Sequence, residues 1–93
     1  MEVELIPERE LKKDSRLYIK GIRIMKTVKL DYKTGKHISF TVEGEEKHSV
    51  MYFGEKTEDK RWQCDCKWYT LQNRVCSHII AVNIAIKDNA ISL

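Results

Sequence analysis

"CDCKWYTLQNRVCSH", residues 64–78, holds all three cysteines of a 93-residue chain and one of its three histidines. Cys64 and Cys66 stand one residue apart, and after nine more residues Cys76 and His78 repeat the gap. Side chains alternate along a strand, so Cys64 and Cys66 are expected on one face with Asp65 on the other. Cys76 and His78 fall where a loop turns into a helical pattern, and free N–H groups at a helix start favour a thiolate. Three thiolates and one imidazole make a closed tetrahedral set that suits one zinc ion and leaves no position for water. Closure of that kind predicts a structural ion. Zinc held this way contributes about 10–16 kcal/mol to folding, as much as the whole net stability of a domain, about 5–15 kcal/mol. Three other readings stand beside it. The cysteines could be plain core residues near an unrelated histidine. A Cys–His pair could act as a nucleophile, which leaves two matching thiols unexplained. Iron could occupy the same cage.

Composition frames the site. The length implies a single domain, residues 1–93. Apolar residues make up 42% and charged residues 33%, which fits a globular fold with a well-solvated surface. An odd cysteine count argues against a disulfide framework. No apolar run approaches the length of a membrane span, and the opening "MEVELIPERE" is too charged for a secretory leader. The expectation is therefore a cytoplasmic protein without membrane contact. The net charge of +3 is uneven: residues 9–36 carry ten Lys or Arg against three acidic residues, whereas from Glu43 onward seven basic residues meet eight acidic ones. Counting three thiolates and a zinc dication lowers the total only to +2. Abundant Ile, Lys and Glu also suit a thermophile.

Working outward, the fold class reads as α+β, with an N-terminal helix, a four-stranded antiparallel sheet, and a C-terminal helix anchored by the zinc site. "PERELKKDSRLYIKG" predicts one helix within residues 1–21, opened by Pro7 and stopped by Gly21, with Leu11, Ser15, Tyr18, Ile19 and Ile22 on one face. Residues 22–63 predict strands. Ile22, Ile24, Val28, Leu30 and Tyr32 alternate with Arg23, Thr27, Lys29 and Asp31, and Lys26 breaks the apolar series as an edge strand would. "KTGK" and "EGEEK" are turns, Ile38, Phe40 and Val42 resume the alternation, and "HSVMYF" and "RWQCDC" complete a meander. Residues 64–88 form the zinc motif and the last helix, ended by Lys87, Asp88 and Asn89. His37 and His48 lack nearby cysteines and read as ordinary strand residues.

Cys-x-Cys, nine residues, Cys-x-His resembles the SWIM zinc finger, and "CSHIIAV" resembles the way that family enters its helix. The likeness covers about residues 60–87, and a looser one runs back through the strands and first helix to small archaeal SWIM proteins. The family often carries Gly and Pro before the third ligand, where this chain has "QNRV". The resemblance implies DNA binding and protein contacts rather than catalysis, in settings that include transposition, ubiquitin-linked proteins, and recombination beside RecA-like paralogues.

Two candidate surfaces follow. For nucleic acid, Lys12, Arg16, Lys20, Arg23 and Lys29 would form a basic patch if the first helix and first strand adjoin, competing with a plain solvated face. The loop "KWYTLQNRV" adds Lys67, Gln72, Asn73 and Arg74, whereas Trp68 is expected to pack beneath the zinc. For a protein partner or a second copy, the last helix is apolar nearly all round. Ile80 and Ile84, with Ile91 and Leu93 beyond, are the candidate interface unless the first helix covers them. No Ser/His/Asp set, carboxylate pair or phosphate loop points to an enzyme or a small-molecule substrate.

Overall fold

The computed structural model describes residues 3–11, 15–44, 46–56, 61–72 and 75–93. Its four strands are β1 (Lys29–Lys33), β2 (His37–Glu43), β3 (Lys47–Phe53) and β4 (Trp62–Cys64). They form one antiparallel sheet in the order β1-β2-β3-β4. Alternation sets its faces. Phe40 lies opposite Val50 and Ile38 opposite Tyr52, so these side chains share one face, and all four are buried. Lys29 pairs with Thr41, one residue out of phase with the Leu30–Phe40 pair, so Lys29 points to the opposite face. All of β1 is exposed, as its lysines and its irregularity between Leu30 and Tyr32 suit at an edge.

The N-terminal helical region is not one helix. Glu8–Leu11 forms a single turn, α1, and a second helix, α2, runs over Arg16–Ile24. Ser15 separates them: its backbone is extended, and its hydroxyl accepts the Tyr18 N–H at 3.2 Å. That is an N-cap, and a capping serine starts a helix of its own. The helix passes through Gly21 and ends in a 3₁₀ turn at Met25–Thr27, so the strand expected from residue 22 begins only at Lys29. Thr27 fixes this junction, donating from Oγ1 to the Ile24 carbonyl at 2.6 Å and accepting from the Glu43 N–H at 3.1 Å.

Gly21 explains why the helix continues. A Cβ built there would stand 2.7 Å from Ile80 Cγ2 and 3.2 Å from the Ser77 carbonyl oxygen. The glycine therefore lets α2 press against the last helix, α4 (Ser77–Lys87). Leu17 and Tyr18 pack toward α4 with Leu11, Ile80 and Ile84, while Ile19 and Ile22 are 45% and 47% exposed. The expected apolar face is thus turned by roughly a third of the helix.

α4 is the centre of the molecule. One side lies on Phe40, Val42, Val50 and Tyr52 through Ile79, Val82 and Ala85, and the other meets α1 and α2. A helix covered on both sides must be apolar all round. Past its first turn the buried polar residue is Asn83, which donates to the Ile79 carbonyl at 2.9 Å and accepts the Ile6 N–H at 2.8 Å. Residues 3–7, without regular secondary structure, pass beside it, and there the Glu4 N–H donates to the Tyr52 hydroxyl at 3.0 Å. α4 closes with Asn89 at a positive φ of 56° and the Ala90 N–H on the Ala85 carbonyl at 2.8 Å. This Schellman turn sends Ile91 back onto the core.

Candidate metal centre

β3 holds β4 in register, with Val50 opposite Cys64, and the ladder ends there. Past its end, Asp65 stays fastened to β3: its N–H donates to the Ser49 carbonyl at 3.2 Å, and its Oδ1 accepts the Ser49 N–H at 3.1 Å. The chain then turns, and Cys66 opens a short helix, α3 (Lys67–Gln72), that the spacing does not announce. The Tyr69 N–H donates to Cys66 Sγ at 3.4 Å, and the Thr70 N–H to the Cys66 carbonyl at 3.1 Å. Cys76 is the N-cap residue of α4, and His78 lies in its first turn. Each cysteine–x–ligand pair thus meets a helix start, where backbone N–H groups favour negative sulfur.

The four side chains converge. The ligand atoms of Cys64, Cys66, Cys76 and His78 lie within 4.8 Å of one another, and all four residues are buried. His78 presents Nδ1, at 3.8 Å from Cys64 Sγ and 3.9 Å from Cys76 Sγ. Nitrogen and sulfur around a tetrahedral zinc, with bonds of about 2.0 and 2.3 Å, stand about 3.5 Å apart, so a small inward movement seats the ion. Electrostatics make the same case for a cation. Cys76 is pulled down to about 4, first by the hydrogen bond from Cys64, with His78 and the Ile79 N–H adding to it against the cost of burial. Cys64 is pushed up by that same bond and by burial, and Cys66 is raised chiefly by burial. Only one sulfur of the group carries charge comfortably, so ionising all three requires a positive ion among them. Zinc supplies that charge and binds all four donors, and the residues present fit it without remainder. The site is a structural zinc centre.

A fifth side chain belongs to its surroundings. His48 shares the helix-covered face with Val50 and Tyr52, and its ring lies 4.4 Å from the His78 ring at 48°. Its Nδ1 is 3.1 Å from Asp65 Oδ1. It is not the ordinary strand residue its sequence neighbourhood suggests. Strand parity with Val50 was the available signal, but spacing alone does not show what stands across the sheet. His37, by contrast, sits in the β1–β2 hairpin against Thr34 and Tyr32.

The expected nucleic-acid residues divide. Arg16, Lys20 and Arg23 are brought together along α2, where they line an open groove of about 600 Å³ with Ile19, Ile24, Glu43 and Gly44. Lys29 faces the other side of the sheet and Arg23 lies on a helix, so the expected strand-borne pair does not form. Lys67 is exposed at the start of α3. Lys12, Asn73 and Arg74 lie outside the described residues, as do the side chains of Trp68 and Gln72. The expected partner residues are largely interior: Ile80 and Ile84 are 2% and 8% exposed beneath α1 and α2, and Ile91 packs on the core. Leu93 alone of the four is open, and its carbonyl oxygen accepts from Lys33 Nζ at 3.3 Å.

No described helix is long and apolar enough to cross a membrane. No curated protein and no solved structure matches the chain. A family model for the SWIM zinc finger matches residues 41–87, just over half of the sequence and the whole of the metal-binding segment. With its four ligands gathered at one point, the chain belongs to the SWIM zinc finger family.

Proposed function

We propose that this zinc-stabilised module binds nucleic acid through α2. The observation that carries the reading is the row of Arg16, Lys20 and Arg23, all exposed on one side of a helix and opening on one groove. A helix rises about 1.5 Å per residue, so the three cations span about 10 Å, a reach that covers successive phosphates. The zinc centre acts on the far side of α4 as the anchor that keeps this helix in place. The four protein donors fill a tetrahedral zinc, which favours binding over catalysis as the role of the module.

Three phosphate contacts predict a salt slope of about −2.7 on duplex DNA, or about a 40-fold loss of affinity between 50 and 200 mM salt. The test is fluorescence anisotropy with a labelled duplex, using the parent and the triple variant Arg16→Gln, Lys20→Gln, Arg23→Gln. The expected result is weaker binding and a slope closer to zero, with zinc content unchanged because the three side chains are exposed. Affinity and slope equal to those of the parent would defeat the reading.

A protein partner is the second reading, favoured by Ile19 and Ile22 standing exposed on that same helix. In this reading the module is an adaptor in recombination or repair. Ile22→Ser, outside the groove that Ile19 helps to line, should then lower self-association or partner capture and leave DNA affinity alone. An unchanged solution mass and unchanged capture would remove it.

A further inference from the structure

We propose that His48 and Asp65 are positioning residues that govern how fast zinc leaves this site. The inference rests on the zinc assignment and is independent of the nucleic-acid reading. The four ligands come from two separate pieces of chain: Cys64 ends β4 and Cys66 lies just past it, whereas Cys76 caps α4 and His78 lies in its first turn. Zinc escapes when those pieces part, so a contact that spans them limits the rate.

The described geometry supplies such a contact. Asp65 lies between the first two ligands and is fastened to β3 by its paired hydrogen bonds with Ser49, at 3.2 and 3.1 Å. Its Oδ1 also meets His48 Nδ1 at 3.1 Å, which orients the ring. That ring lies against His78, the last ligand, with centroids 4.4 Å apart. A continuous strut therefore runs from the Cys-x-Cys turn through β3 to the Cys-x-His turn. The His48 side chain is 19% exposed and Asp65 57%, so the strut stands on the solvent side of four buried ligands. A ring seated there has to move before His78 can swing out or a competing chelator can reach in. Outer partners of metal ligands act in this way, and their loss commonly costs about 10–100-fold in metal affinity.

The test measures zinc transfer from the loaded protein to a chromogenic chelator by stopped flow, with cobalt substitution as the check on ligation. His48→Ala and Asp65→Ala should each bind one zinc, keep the tetrahedral cobalt spectrum of three sulfurs and one nitrogen, and release zinc about 10–100 times faster. Asp65→Asn retains a carbonyl oxygen for Ser49 and His48 and should restore release to within about threefold of the parent. Should His48→Ala fail to fold, His48→Phe keeps a ring on His78 without the link to Asp65. Its release should fall between those of the parent and Asp65→Ala. A global loss of stability is separated by Asn83→Ala, which weakens α4 away from the ligands and should leave the release rate alone.

Four results would overturn the proposal: alanine variants within about twofold of the parent, well short of the outer-partner effect; acceleration by Asn83→Ala equal to theirs; His48→Phe releasing at the parent rate; or a changed cobalt spectrum, which would make His48 or Asp65 a ligand.

Discussion

Gly21→Ala adds a single carbon, and the structure fixes what that carbon meets. The new Cβ would stand 2.7 Å from Ile80 Cγ2, 3.1 Å from Ile80 Cβ and 3.2 Å from the Ser77 carbonyl oxygen. Carbon atoms in contact rest about 3.5–4.0 Å apart, so about 1 Å has to be found. Ile80 cannot supply it by swinging away, because a β-branched side chain in a helix has one strongly preferred χ1. Ser77 offers only backbone. The helices must therefore separate, loosening the cluster of Leu11, Tyr18 and Ile84 around Ile80. Overpacking of this kind costs about 1–3 kcal/mol, and replacing glycine by alanine inside a helix returns about 1 kcal/mol. The net expectation is a loss of up to about 2 kcal/mol, or up to about 15 °C in Tm for a domain of this size. Gly35→Ala is the matched control. Nothing lies within 4 Å of its would-be Cβ, and its φ is not positive, so it should be neutral or slightly stabilising. Thermal unfolding followed by circular dichroism at a fixed excess of zinc reads both. On an Ile80→Ala background, which removes the obstructing Cγ2, Gly21→Ala should lose most of its penalty. A Tm that rises in Gly21→Ala as it does in Gly35→Ala would refute the close packing of α2 on α4.

Other expectations are shorter. A strong chelator at neutral pH should abolish the helical circular dichroism and returned zinc should restore it, because zinc binding and net stability are of similar size; a fold that survives chelation contradicts the metal's role. Acid should act in the same direction. Zinc binding displaces the protons held on the Cys64 thiol by its hydrogen bond to Cys76 and by burial, and on the Cys66 thiol by burial, so affinity falls as pH drops. A pH titration should therefore show bound zinc falling ever more steeply as pH drops, and a flat titration would contradict thiolate ligation. Asn83→Ala removes the acceptor of the Ile6 N–H and should cost about 1–3 kcal/mol, with faster amide exchange at residues 3–7 as its signature. Ile80→Glu places a charge at a 2% exposed position and should prevent folding rather than release a partner; a folded, zinc-loaded variant would show that α4 is not covered.

The parts of this molecule that were legible are those where one period repeats without competition. Ile38–Phe40–Val42 and Val50–Tyr52 can only be alternating strands, and the two cysteine-containing pairs admit few explanations besides a metal. "RLYIKGIRI" is different: its apolar residues satisfy a period of two and a period of 3.6 at once. The serine cap and the approach of Ile80 decide between them, and the second is a tertiary fact. Which side of α2 turns inward is likewise settled by Gly21, since Leu17, Tyr18, Ile19, Ile22 and Ile24 nearly encircle the helix. "KWYTLQ" is too short to show a period, so α3 was hidden. The same helix–helix contact accounts for the surface assigned to a partner: the isoleucines of α4 meet their cover 60 residues upstream within the same chain, which no local pattern can show.

The bond between Ile6 and Asn83 joins positions 77 residues apart. Synthesis delivers the early part of the chain first, while its hydrogen-bond acceptor and the metal ligands all reside in the final third. The opening segment, both early helical turns and the hairpins accordingly emerge before anything exists for them to rest on. Closing so long a loop brings its reward only once α4 is present. A ribosome-bound nascent chain halted before Cys76 leaves the tunnel should remain open to protease, and lengthening it past Lys87 with zinc present should confer resistance in one step.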